Sequence, residues 1–481
     1  MRGDFSRDSF DALRHYSRVL QQQGRVELDA DGNERQSIQL HLLRVLAADL
    51  IGPFGGPGTG FALADNTGGT SFQQNFLIGK GHYYVDGWLC ENDADVFYAA
   101  HDDGPAQPWL SAPLELEKGK NYLAYLDVWE RHVSAAEVDG GLDTASPAAM
   151  REVALGGPDT TTRAQVVWQV KVSPDDGALL PAAPVTVAQW DAWMDANWAA
   201  WRARWQAPLR GRLNARATTT GNDAGNPCAV SPQSRYRGVE NQLYRIEIHQ
   251  GGTVGSATPP TFVWSRENGS VACAVDHVDD RSLQLVAGWR DARFALSVGD
   301  IVELLDEDTV LRGAPGPLVR VTGVDLDELT VSFEAGSVAP AMAGSRGIVL
   351  RRWDHGQRKL VGAPANDGRP AIAKDLALTL TEGRWLTIED GISIFFEPAD
   401  LPDRQQYRTG DYWLIPARTA IGDILWPRTA DVDRQPLSQP PHGIEHHYAP
   451  LAIVTVNASG AVTLAVEPSR RFKTLVELSQ P

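Results

Sequence analysis

Three histidines and a glutamate crowd into residues 442–447, as His442, Glu445, His446 and His447. A spacing of four would set His442 and His446 on one face of a helix, the way paired imidazoles hold zinc. Pro440, Pro441 and Gly443 break such a helix, and the H-E-x-x-H order of a zinc protease is absent. The cluster is therefore read as structural, with no metal. Asp29, Asp31 and Asn33 place side-chain oxygens at alternate positions, as a calcium loop does at its start. The glycine needed at the sixth position is Glu34 and the glutamate needed at the twelfth is Leu40, so these residues suit a helix start better. The run Gly55-Gly56-Pro57-Gly58-Thr59-Gly60 follows a helical stretch, whereas a dinucleotide fingerprint follows a strand and opens a helix. It is expected to be a loop that binds no phosphate. Arg2-Gly3-Asp4 is too short a match to mean adhesion. No nucleophile elbow, P-loop or kinase signature occurs. Glycosidic chemistry needs two acids about 5 to 10 Å apart, and no pair stands out. No catalytic residue, cofactor or metal is expected.

The elements that would carry any chemistry are mostly strands. Phe76–Ile78, His82–Leu89, Tyr122–Val133 and Arg163–Val172 are short apolar runs rich in valine, tyrosine and tryptophan, separated by polar turns. Asn268-Gly269 reads as a hairpin turn between Val263-Trp264 and Val271–Val275. From 282 to 352, SLQLVAG, VGDIVELLDE, PLVRVTGVD, ELTVSFEAG and GIVLRRW are five candidate strands of a small barrel. Two helices stand out. Asp31 and Glu34 form a capping box ahead of Ile38, Leu42, Val45, Leu46 and Leu50, which share one face up to Gly52-Pro53. Over 186–206, Trp190, Met194, Trp198, Trp201 and Trp205 recur at three and four residues, and Trp193 lies beside them. That stripe covers either a sheet of the same chain or a neighbouring subunit.

Composition narrows the function classes. With 44 basic and 61 acidic side chains the formal charge is -17, which repels a phosphate backbone, so no nucleic acid is expected as partner. The opening MRGDFSRDSF has no apolar core of a signal peptide, and no run of about 18 apolar residues appears. Cytoplasmic synthesis without membrane insertion is expected. Cys90, Cys228 and Cys273 are odd in number and far apart, as suits reduced core thiols.

Several blocks are long and specific: MRGDFSRDSFDALRHYSRVLQQQGRVELDADGNE, HLLRVLAADLIGPFGGPG, YYVDGWLCEN, YLDVWERHV, REVALGGPDTTTRAQVVWQV, FVWSRENGSV, GDYWLIPAR and PPHGIEHHYAPLA. Together they span nearly the whole chain and resemble a family of uncharacterised bacterial proteins found among genes of phage-tail-like particles and contractile injection systems. In some members the domain precedes a right-handed β-helix. Relatives usually carry tryptophan where this chain has Gly32. The resemblance implies a structural component, a baseplate-attached fibre, spike or adaptor, with no enzymatic activity. It also implies tail or baseplate proteins as partners, a homotrimeric state, and a place outside the cell after particle release. A carbohydrate-acting enzyme, or a module binding a glycan or cell-surface receptor, is the alternative.

The expected fold is mainly β, with antiparallel sheets, a small barrel-like insertion and a few helices. The expected organisation is a docking arm and capped helix over 1–55, β-rich regions over 56–185 and 207–281, the tryptophan helix over 186–206, the barrel over 282–352, and a β-rich region over 353–481. In the arm, Phe5, Phe10, Leu13 and Tyr16 are the candidate docking residues. Trp190, Met194, Trp198, Trp201 and Trp205 are the candidate subunit contacts.

Overall fold

A computed structural model describes the chain except residues 68–69, 143–149, 178–179, 182–185, 207–210, 218–235, 290–292, 335–344, 357–368, 399–405, 433, 465–470 and 474–481. Cys228 lies outside the described residues. The fold is mainly β, built from several antiparallel sheets with few helices.

The longest pairing joins Asn121–Val133 to Arg163–Pro174, in unbroken register from Val133↔Arg163 to Tyr122↔Pro174. His447–Val456 pairs with the other edge of Asn121–Val133, and Val462–Leu464 completes a four-stranded sheet. Tyr122 to Trp129 are all buried, so this strand is covered on both faces, which accounts for its nearly continuous apolar run. The tryptophan helix, α2 (Val187–Trp205), belongs to the same core and starts with a capping box between Thr186 and Gln189.

A second core forms around Gln242–Ile248, the central strand of a five-stranded sheet, facing a three-stranded sheet of Leu213–Ala217, Ile392–Phe396 and Trp385–Thr387. The barrel is closed and six-stranded. All five strands read from the sequence take part, and Ala272–Val278 completes the ring by pairing with both Ser282–Leu285 and Val349–Trp353. The module therefore begins about ten residues before the expected boundary. Asn268 and Gly269 both have positive φ, as a tight turn requires, but the strands they join do not pair with each other. Thr261–Ser265 stays in the second core while Ala272–Val278 enters the barrel. The turn is a crossing between modules, and the expected hairpin is not formed.

The glycine-rich run also differs from expectation. Phe54–Pro57 is a strand, antiparallel to Gly81–Val85 and parallel to Arg471–Phe472. A Cβ on Gly56 would stand 2.6 Å from the Tyr83 ring and 2.7 Å from the His82 carbonyl oxygen. The glycine allows backbone to lie against backbone and ring, a tertiary demand that resembles loop composition in the sequence. Cys90 is buried and Cys273 half-buried, both as free thiols, and burial pushes the Cys273 thiol up to about 11. No helix of the described residues is long and apolar enough to cross a membrane.

Candidate docking surface

The first residues of the chain are not a loose arm. In Gln242–Ile248, Tyr244, Ile246 and Ile248 face the second core, and Arg245 and Glu247 take the alternate face. That polar face is buried as well, because Met1 to Gly3 lie across it. Arg2 forms an ion pair with Glu247, which also pairs with Arg245. Arg245 donates to the Met1 carbonyl at 3.1 Å. The Asn268 side-chain amide donates to the Gly3 carbonyl at 2.9 Å, and the Gly3 amide returns a bond to the Asn268 carbonyl at 3.3 Å. Burial pushes the Glu247 carboxyl up, but Arg2 and Arg245 outweigh it and hold the group at about 2. Arg2 and Gly3 are thus explained by packing.

The next residues are fastened to the first helix, α1 (Asp29–Ile51), which begins two residues before the expected Asp31 cap. Asp29 accepts from the Ser6 amide at 2.8 Å, and Glu34 accepts from the Ser9 hydroxyl at 2.6 Å. Of the expected Asp31–Glu34 capping box, Glu34 instead joins Asp29 in tying the N-terminal segment down, and Asp31 lies inside the first turn. Phe5 is half-buried, with its ring over Gly3, and Phe10 packs on His41 at 5.8 Å between centroids. A single 3-10 turn at Ala12–Arg14 leaves Leu13 83% accessible, and the segment then runs to Leu28 exposed except for the half-buried Val19, with Tyr16 55% accessible.

Helix α1 is held along one edge only. Ala30 and Ile38 are its buried residues. Arg44 lies 3.2 Å above the Trp88 ring centroid and reaches Glu130 at 2.7 Å. Gly87, with φ of +80°, abuts the Arg44 backbone so closely that a Cβ there would strike the Arg44 carbonyl. The apolar stripe read from the sequence does not become core beyond Ile38. Leu42, Leu43, Val45, Leu46 and Leu50 are exposed, with Leu43 at 63%, Leu46 at 54% and Leu50 at 77%. Leu43, Leu46 and Leu50 succeed one another at three and four residues, so the free side of the helix is itself an apolar ridge.

The other candidate residues lie elsewhere. Trp190, Met194 and Trp201 are buried in the chain's own first core. The bulk of this stripe covers the four-stranded sheet and its neighbours. Trp198 and Trp205 are half-buried: Trp198 meets Phe54 edge-on, and Trp205 stacks on Tyr125 at 3.7 Å. The three histidines diverge. His442 stacks on Tyr412, His446 Nδ1 meets Asp127 at 2.7 Å, and His447 Nδ1 meets Asp86 at 3.0 Å. Among the described residues no three His, Cys, Asp or Glu side chains gather as metal ligands.

A family model described as a family of unknown function, DUF6519, matches residues 1–188 and 196–479. The chain belongs to the DUF6519 family. No curated protein and no solved structure matches it. For this DUF6519 protein, sequence reasoning missed the anchoring set of Arg2, Arg245, Glu247 and Asn268. The one local signal was two opposite charges on alternate positions of an otherwise apolar strand, a pattern that needs a cover once the strand becomes central.

Proposed function

We propose that this protein is a non-enzymatic assembly component that docks on a larger particle through the outer ridge of α1 and the exposed stretch from Leu13 to Leu28. The observation that carries this reading is the leucine ridge at positions 43, 46 and 50, left in solvent on a helix whose opposite edge is anchored. Burying one such side chain is worth about 1.5–3 kcal/mol, so a contiguous ridge is a strong drive to association. The sequence resemblance supplies the partner: the baseplate or tail proteins of a phage-tail-like particle or contractile injection system, with assembly after cytoplasmic synthesis. Phe10 packs on His41 of α1 and Phe5 is half-buried, so among Phe5, Phe10, Leu13 and Tyr16 this reading puts docking on the exposed Leu13 and Tyr16.

Co-sedimentation of the purified protein with purified particles tests this. The unaltered chain should pellet with them, and Leu43→Glu with Leu46→Glu should remain in the supernatant while keeping its folded circular-dichroism spectrum. Equal pelleting of both would refute the reading. The same ridge suits self-association, and light scattering on the free protein would report the homotrimer the resemblance implies.

A further inference from the structure

A cavity of about 570 Å³ opens where the four-stranded sheet, the end of α2, the barrel segment 310–313 and the stretch 406–411, which starts with the short strand Gln406–Tyr407, meet. Its size falls in the usual range of small-molecule sites. One wall is aromatic: Tyr125, Trp129 and Tyr448 from two paired strands, and Trp205 from α2. Behind that wall is a charged group built from distant parts of the sequence. Asp127 is buried, and its two oxygens accept from Lys171 Nζ at 2.7 Å and meet His446 Nδ1 at 2.7 Å. Burial alone would raise the Asp127 carboxyl, but His446 and Lys171 outweigh it and hold it below the usual range. With Nδ1 engaged, His446 presents Nε2 to a ligand. Trp129 lies 4.8 Å from the imidazole and fixes its plane.

The opposite wall is polar, formed by the Gly251 and Gly252 backbone, Gln406, Thr409 and Arg408. Arg408 has no carboxylate partner among the described residues. The cavity's acids, Asp127 and Asp411, are buried, whereas Lys171, Arg312 and Arg408 are more exposed. Lys171 is paired with Asp127 and Arg312 with Asp308, so Arg408 is the cation this cavity leaves for an anion.

We propose that this cavity binds an acidic saccharide residue, a pyranose ring carrying a carboxylate. The carboxylate pairs with Arg408, which offers two parallel N–H donors. The apolar face of the ring lies on the aromatic wall, and the hydroxyls meet Thr409, Gln406 and His446 Nε2. An aromatic acid would satisfy the guanidinium and the rings but leave the polar wall unpaired, and a neutral sugar would leave Arg408 unpaired. The inference stands independently of docking through α1.

Isothermal titration of the full chain with D-galacturonate, D-galactose and benzoate tests it. Galacturonate should bind about tenfold or more tightly than either of the others, the discrimination one charge-assisted pairing provides. Arg408→Gln should remove about tenfold from galacturonate binding and leave galactose unchanged, and added salt should weaken the galacturonate arm alone. Galactose binding equal to galacturonate, benzoate binding equal to it, or no heat with galacturonate at about 20 mM would each overturn the proposal.

Discussion

Residues 1–5 and residues 39–50 both belong to the N-terminal segment, and both carry side chains that water does not favour leaving alone. The body anchors the first group: Arg2 is paired with Glu247, and the Gly3 backbone is hydrogen-bonded to Asn268. The second group keeps its leucines in solvent. The difference lies in what each meets. Without Met1 to Gly3 the Arg245–Glu247 pair would lose its cover and Glu247 its second cation, whereas the inner edge of α1 is already satisfied by Ile38, His41 and Arg44. One part of the segment therefore completes the fold, and the other part is surplus to it.

The largest effect should come from breaking the anchor. Glu247→Ala leaves Arg2 and Arg245 buried without their carboxylate and should cost about 3–5 kcal/mol, read as a lower urea midpoint. Loss below about 1 kcal/mol would mean that the N-terminal residues are not part of the fold.

Acid probes the same contact without mutation. The Glu247 carboxyl sits at about 2 in the folded chain against an ordinary value of 4.5. A depressed carboxylate contributes its full stability above the unfolded value and loses it as pH falls. About 3 kcal/mol should therefore disappear between pH 4.5 and 2. Urea titrations across that window should show the loss shrink in Glu247→Gln.

The seat of α1 is a smaller lever. Gly87→Ala adds a Cβ against the Arg44 carbonyl at a positive φ, and should destabilise by about 1–3 kcal/mol while increasing amide exchange along α1. Smallest of all, Leu43→Glu with Leu46→Glu should change folding stability by no more than about 0.5 kcal/mol, because neither side chain belongs to the core. A larger loss would place the ridge inside the body.

Legibility in the sequence follows the range of the physics. The five barrel strands are readable because each carries its own alternation and its own turn, whereas the strand at Val271–Val275 is readable but its place in the barrel is not, because Asn268-Gly269 looks locally like a hairpin whichever sheet its strand enters. The tryptophan helix is readable in position and length from its spacing, and the same spacing does not say which surface it covers. Helix α1 was visible, but not the fate of its leucines, since the competing inner edge is set by Trp88 and Glu130. Gly56 reads as loop because the reason for the glycine, the Tyr83 ring, lies in a different strand. The site residues were least legible. The Arg2 to Glu247 contact spans 245 positions and the His446 to Asp127 contact 319, and no periodicity records either.

Hydrogen–deuterium exchange of the intact protein, free and bound to purified particles, tests the division between anchor and free face most directly. The account predicts that residues 1–10 and 242–248 are already protected in the free protein and unchanged on binding, while protection is gained over residues 12–28 and 39–50. New protection confined to other surfaces, with the α1 ridge exchanging equally in both states, would contradict it.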